Sequence, residues 1–126
     1  MNRVWPIIGV RDVQASSQWY QSILGCANSH PSTTFDQIVD ADGTVLVCLH
    51  HWGEHEHPTL MSADSATPGN GLILLFRVDD FEAAVERARA LVERFEEEPR
   101  QNPNTGTMQF SVRDPDGYYV MINSAV

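Results

Sequence analysis

Lysine is absent from this 126-residue sequence: its 8 basic residues are all arginine, set against 17 acidic ones, for a formal net charge of -9. Without lysine there is neither a side-chain Schiff base nor a phosphate-loop amine. Basic runs are missing too, and an acidic chain repels phosphate backbones and anionic headgroups, so nucleic acid and membrane surfaces are not expected partners. Long apolar runs are likewise missing. The stretch around residues 72–76 is far shorter than the roughly 18 residues of a membrane span. The opening Met1-Asn2-Arg3-Val4-Trp5-Pro6 lacks an apolar stretch followed by small residues, so no export signal is read and a cytoplasmic location is expected. Cysteine is scarce: Cys26 and Cys48 lack CxxC spacing and read as reduced thiols in or near the core. Nucleophile-elbow and HExxH signatures do not occur.

What is present suffices for one compact domain. With 42% hydrophobic residues, a chain of this length buries roughly two-thirds of its unfolded surface. Its organisation is a repeat. Val10-Arg11-Asp12-Val13 lines up with Val78-Asp79-Asp80-Phe81, each an apolar strand running into a helix start. Asp40-Ala41-Asp42-Gly43 lines up with Asp114-Pro115-Asp116-Gly117, each a tight turn between strand-like segments. Module one spans about residues 1–52, a linker about 53–70 and module two about 71–126.

In module one, residues 5–10 are β-rich, and Asp12 or Ser16 can cap a helix carrying Trp19, Tyr20, Ile23 and Leu24 to a stop at Gly25. Residues 35–40 and 44–50 flank the Asp42-Gly43 turn as a hairpin. In module two, residues 72–78 form an apolar strand, and a helix from Phe81 to about Phe95 places Phe81, Ala84, Val85, Ala88, Leu91, Val92 and Phe95 on one stripe. Residues 108–113 and 118–123 make the second hairpin, after a loop over 96–106 whose Glu96-Glu97-Glu98 reads as a solvated helix end. Trp19, Tyr20, Phe81 and Phe95 are expected helix-to-sheet core. The paired aspartates are explained by caps and turns, with no acid–base role.

Two tandem βαβββ modules, with Val-x-Asp after the first strand and Asp-Pro-Asp-Gly-Tyr before the last, resemble the vicinal oxygen chelate superfamily. That group includes glyoxalase I, extradiol dioxygenases, fosfomycin-modifying enzymes and bleomycin resistance proteins. The resemblance covers the whole chain, and residues 70–90 and 105–122, especially Gln109-Phe110-Ser111-Val112-Arg113-Asp114-Pro115-Asp116-Gly117, are most similar to small bleomycin-resistance-like members. It implies an α+β fold in which the modules form a curved, half-open mixed sheet, helices on the convex side, with a ligand on the concave face and a homodimer around it.

The resemblance also implies four metal-ligand positions, one early in each module's first strand and one in its last. Counting from the markers places Trp5, Val47, Ile73 and Met121 there, none of them a hard-cation ligand. No cofactor is therefore expected, a divalent metal being the minority alternative. Strand alternation puts Trp5 and Ile7, then Val47, Leu49 and His51, then Ile73, Leu75 and Arg77, then Tyr119, Met121 and Asn123 on the concave side. Trp52, Phe35, Phe110, Tyr118 and Tyr119 add stacking surface. Such a wall suits an amphipathic or aromatic small molecule, and the net charge favours a cationic one.

Residues 50–57 carry four histidines, His50, His51, His55 and His57, and two glutamates, Glu54 and Glu56. Their spacing fits no zinc motif and reads as a loop. His51 is the best candidate for an acid–base group. Two functions follow: a metal-free binding protein that sequesters its guest, or a superfamily enzyme (lyase, isomerase or dioxygenase type). The enzyme would use a displaced metal on the histidine loop, or metal-free isomerase, lyase or hydrolase chemistry with His51 and Arg77.

Overall fold

The structure, a computed structural model, describes residues 3–54, 57–63 and 69–125. The chain runs β1 (Ile7–Val10), α1 (Val13–Leu24), β2 (Ala27–Ser29), β3 (Phe35–Val39), β4 (Val45–His51), β5 (Leu74–Val78), α2 (Phe81–Leu91), β6 (Glu97–Gln101), β7 (Met108–Arg113) and β8 (Tyr119–Ser124). A 3-10 turn at Pro58–Leu60 lies between the halves. Each half is a βαβββ unit, as the repeat predicts. The strands form two four-stranded sheets, ordered β1-β4-β3-β2 and β5-β8-β7-β6. In both, the leading strand pairs parallel with the last strand of its unit and the other pairs are antiparallel. The α+β tandem architecture is as read from the sequence; among the described residues the sheets stay separate and open, with β1 and β5 each at an edge.

The Val-x-Asp markers work as helix starts. The Asp12 carboxylate accepts the N–H of Ala15 at 3.0 Å, and that of Asp80 accepts the N–H of Ala83 at 3.1 Å. Each cap satisfies a backbone donor that has no partner within its helix. Helix α1 ends at Gly25 with φ 64, a left-handed conformation that costs a glycine little. Helix α2 ends at Leu91, short of Phe95, because Val92 turns extended at φ -118 and ψ 151. The acidic segment beyond is the strand β6, where Glu97 finds cross-strand donors that a helix end would not supply. As a helix terminus it would set three carboxylates against the dipole. The βαβββ pattern counts β2 and β6, but the sequence assigns them no residues, since neither carries an apolar alternation.

Each helix lies against its own sheet and the two helices pack on one another. One apolar cluster therefore runs through both halves, from Ile8, Val10 and Ile38 across Tyr20, Ile23, Phe81 and Ala88 to Phe110, Val120 and Ile122. Burying each larger side chain in it contributes about 1.5–3 kcal/mol. Trp19, Tyr20 and Phe81 belong to this core and Phe95 packs against it. Hydrogen bonds fasten the halves at the Asp114 turn. Tyr20 donates its hydroxyl proton to Asp114 Oδ2 at 2.6 Å, Asp116 Oδ1 accepts the N–H of Arg11 at 2.9 Å, and the Tyr118 hydroxyl donates to the Gly9 carbonyl at 2.9 Å. Among the described residues no helix is long and apolar enough to cross a membrane.

Candidate functional site

With a helix on one face of each sheet, the opposite face is open, and strand register decides which side chains it displays. In the second sheet the pairs Leu75 with Met121, Arg77 with Asn123, Gln109 with Asn123, and Ser111 with Met121 share that open face. Leu74, Phe76, Val112, Val120 and Ile122 alternate with them into the core. Leu75, Arg77, Tyr119, Met121 and Asn123 therefore stand together as the alternation predicts, with Ile73 just ahead of the strand. Phe110 does not: it is wholly buried on the helix side, its ring against Phe81 and Phe95 at centroid distances of 5.6 and 5.1 Å.

The first sheet differs from expectation in phase. β1 pairs with β4 through Ile7 with Cys48, Ile8 with Leu49, Gly9 with His50 and Val10 with His51. Since Ile8 and Val10 are core, Leu49 and Val47 are core too, and the open face carries Ile7, Leu46, Cys48 and His50. β4 is apolar on both sides, so its sequence carries no phase; a parallel neighbour sets it. His51 shares the helix side at the strand end, with its Nδ1 4.0 Å from Glu54 Oε1. His50 is the histidine on the open face, its Nδ1 at 2.8 Å from the His51 carbonyl oxygen. Its ring meets Phe35 edge-on at 6.3 Å and His57 at 5.2 Å. The sequence pattern favours the adjacent His51; the signal that points to His50 is the opposite facing of neighbours along a strand.

Around His50 lies a cleft of about 650 Å³ lined by Ile7, Phe35, His50, His57, Pro58, Thr59 and Leu60. Trp52 sits beside it, because Gly9 leaves room: a Cβ at Gly9 would stand 2.6 Å from the indole. Trp5 is exposed, as are Ile7, Ile73 and Leu75, all between 48% and 55%. A second cleft of about 750 Å³ runs along the free edge of β5 past Leu72, Ile73, Leu75 and Arg77 to Leu24, Cys26 and Leu46. Tyr118, a stacking candidate from sequence, is buried at the junction between the halves, whereas Tyr119 reaches the open face with the Arg113 guanidinium 4.9 Å above its ring.

The far side of the second sheet is polar and closely bonded. Glu97 Oε1 accepts from Gln109 Nε2 at 2.9 Å and Ser111 Oγ at 3.2 Å, and Oε2 accepts from Arg100 Nε at 2.8 Å. Burial alone would raise the Glu97 pKa, but these bonds outweigh it and hold the carboxyl below the ordinary carboxylate range. Gln109 Oε1 accepts from Asn102 Nδ2 at 2.9 Å. Asn123, 6% exposed, has no partner at Oδ1 among the described residues.

At the positions where the resemblance implies metal ligands, the open faces offer Trp5, Ile73 and Met121, with Leu46 or Cys48 in place of Val47. Indole, alkyl and thioether groups do not make a site for an oxygen- and imidazole-preferring cation. Burial pushes the Cys48 thiol up, away from the thiolate that binds metal. Among the described residues no group of three His, Cys, Asp or Glu is placed to hold a metal. His55 and Glu56 lie outside the described residues.

Comparison with known proteins matches this geometry. Residues 3–122 match the model of the glyoxalase/bleomycin resistance protein/dioxygenase superfamily, and the chain belongs to that family. Among solved structures, a glyoxalase/bleomycin resistance protein/dioxygenase family enzyme from Burkholderia phytofirmans PsJN is 24% identical, with a TM-score of 0.75 over 97% of each chain. TioX from Micromonospora sp. ML1 is 14% identical, with a TM-score of 0.74 over 100% of both chains. A glyoxalase/bleomycin resistance protein from Catenulispora acidiphila is 17% identical, with a TM-score of 0.65 over 100% of both. These identities establish the shared fold. A search of curated proteins returned no match.

Proposed function

We propose that this protein is a metal-free binding member of its superfamily: a homodimer that holds, and sequesters, a small amphipathic or aromatic molecule over its open sheet faces. One observation carries the reading. Of the seven large hydrophobic side chains exposed among the described residues, six (Val4, Trp5, Ile7, Leu72, Ile73 and Leu75) lie on or just before the leading strands of the two modules. Those strands are also the sheet edges. Contiguous apolar surface on an unpaired edge marks a surface meant to be covered.

A second copy covers the edges, and the guest occupies the clefts beside them. Phe35, His50, Trp52 and Tyr119 supply stacking and polar contacts. The mismatch between the open-face side chains and a hard cation supports binding rather than the Lewis-acid chemistry of metal-dependent relatives. A thermal-shift screen with bleomycin-type and amphipathic aromatic compounds tests this. A guest at a hundred times its dissociation constant stabilises by about 2.7 kcal/mol. A shift with none of the compounds overturns the binding reading. About one tightly held divalent ion per chain, lost on substituting His50 and His57, overturns its metal-free part.

A further inference from the structure

We propose that the open face of the second sheet holds an anion-recognition subsite built from Arg77 and Asn123, so that the guest carries a carboxylate at its polar end. This rests on the binding reading above and specifies its ligand class. Arg77 is exposed on β5, and it alone among the arginines has no hydrogen bond, ion pair, ring contact or charge partner among the described residues. Arg89, Arg94, Arg100 and Arg113 pair with Glu98, Glu96, Glu97 and Glu96, and Arg87 donates to the Ile23 carbonyl. Arg3 and Arg11 interact with the charges of Asp42 and Asp116. Asp40, Asp79 and Asp80 line the same cleft as Arg77, yet among the described residues none of them forms an ion pair with it.

Asn123 is the register partner of Arg77 on the same face. Its Oδ1 is buried without a donor, a costly state unless something completes it. Its other cross-strand neighbour, Gln109, is already committed at both ends, to Glu97 and to Asn102. The cross-strand neighbour left to donate is Arg77, which the register sets opposite Asn123. One N–H given to Asn123 Oδ1 fixes the plane of the fork and turns its remaining edge outward, the geometry that receives a carboxylate in two parallel hydrogen bonds. Leu75 and Met121, next along the same face, offer apolar contact to the body of the guest. The local charge decides against a cationic guest although the whole chain is acidic. Glu97, the acid on this face, is paired with Arg100 and saturated by Gln109 and Ser111; Asp79 and Asp80 lie at the end of the strand, and among the described residues Arg77 has no ion-pair partner.

Three probes of one shape test the assignment: 4-phenylbutyrate, 4-phenylbutanol and 4-phenylbutylammonium, titrated calorimetrically into the whole protein. The carboxylate binds about tenfold more tightly than the alcohol, the scale of a charge-assisted bidentate contact, and the ammonium binds most weakly. Arg77→Gln reduces carboxylate binding to the level of the alcohol and leaves the alcohol unchanged; Arg77→Lys restores part of the preference. Asn123→Ala weakens carboxylate binding while sparing the alcohol. Equal binding of carboxylate and alcohol, preference for the ammonium, or a carboxylate preference that survives Arg77→Gln overturns the subsite and leaves the cavity standing. Binding of none of the probes removes the cavity and the subsite with it.

Discussion

The hydroxyl of Tyr20 on α1 donates a 2.6 Å hydrogen bond to Asp114 Oδ2 in the last turn of the second module, across 94 residues of sequence. Asp114 Oδ1 also accepts the N–H groups of Asp116 and Tyr118, both at 2.9 Å. One carboxylate thus shapes its own turn and clasps the two modules together.

Asp114→Asn keeps an oxygen for the two turn amides but sets an NH2 against the Tyr20 hydroxyl, and destabilises by about 1–2 kcal/mol; Tyr20→Phe costs about 1 kcal/mol. The pH dependence has a definite sign. Burial, the largest influence, raises the Asp114 pKa above its ordinary 3.8 despite the bonds that lower it. The folded protein therefore binds more protons than the unfolded one in that range. Its contribution is full below the unfolded pKa and is lost as pH rises through the raised folded pKa. In urea unfolding from pH 3 to 7 the stability of the wild type relative to Asp114→Asn falls as pH rises; parallel profiles count against it.

Gly9→Ala places a methyl group 2.6 Å from the Trp52 ring. Overpacking of this kind costs about 1–3 kcal/mol, here with displacement of the indole from the sheet. The tryptophan emission shifts to longer wavelength and the unfolding midpoint falls. Unchanged emission means that Trp52 does not rest on Gly9.

The thiols are slow nucleophiles at neutral pH. Burial first, then Asp40, pushes Cys26 up to about 11, with Arg87 opposing, and burial raises Cys48. Iodoacetamide labelling of the Cys26 peptide, followed by mass spectrometry, rises steeply only as pH approaches 11. Labelling at pH 7 as fast as a free cysteine, whose pKa is about 8.5, contradicts this environment.

Ile73→Glu puts a charge on the exposed edge proposed to meet a second copy. Removing one buried apolar contact of about 1.5–3 kcal/mol loosens a dimer roughly tenfold or more. Sedimentation shows a dimer for the wild type and a shift to monomer for the variant, with unchanged far-ultraviolet dichroism. A wild type that stays monomeric at high concentration ends the homodimer reading.

Where chemistry is local, residues announce their roles. Asp12 and Asp80 are readable as caps because a cap needs only its own helix. Gly25 and Gly43 are readable as left-handed positions because a turn needs only its own backbone. The stripe of α2 is readable to Leu91, where Val92 leaves the helix. The candidate site is legible in part: counting from the Val-x-Asp and Asp-Gly markers puts Leu75, Arg77, Met121 and Asn123 on one face, and the register has them there. β4 is apolar on both sides, so the sequence favours His51 where the structure sets His50 on the open face.

The sequence by itself determined the tandem βαβββ units, their caps and turns, and the helical core, because each depends on contacts a few residues apart. Only the tertiary structure decided the phase of β4, the strand β6 and the clasp between Tyr20 and Asp114. It also decided which arginine stands without a partner. All of these are set by pairings between distant segments, and charge balance at one place on a surface is a property of the neighbours that folding brings there, not of the composition of the chain.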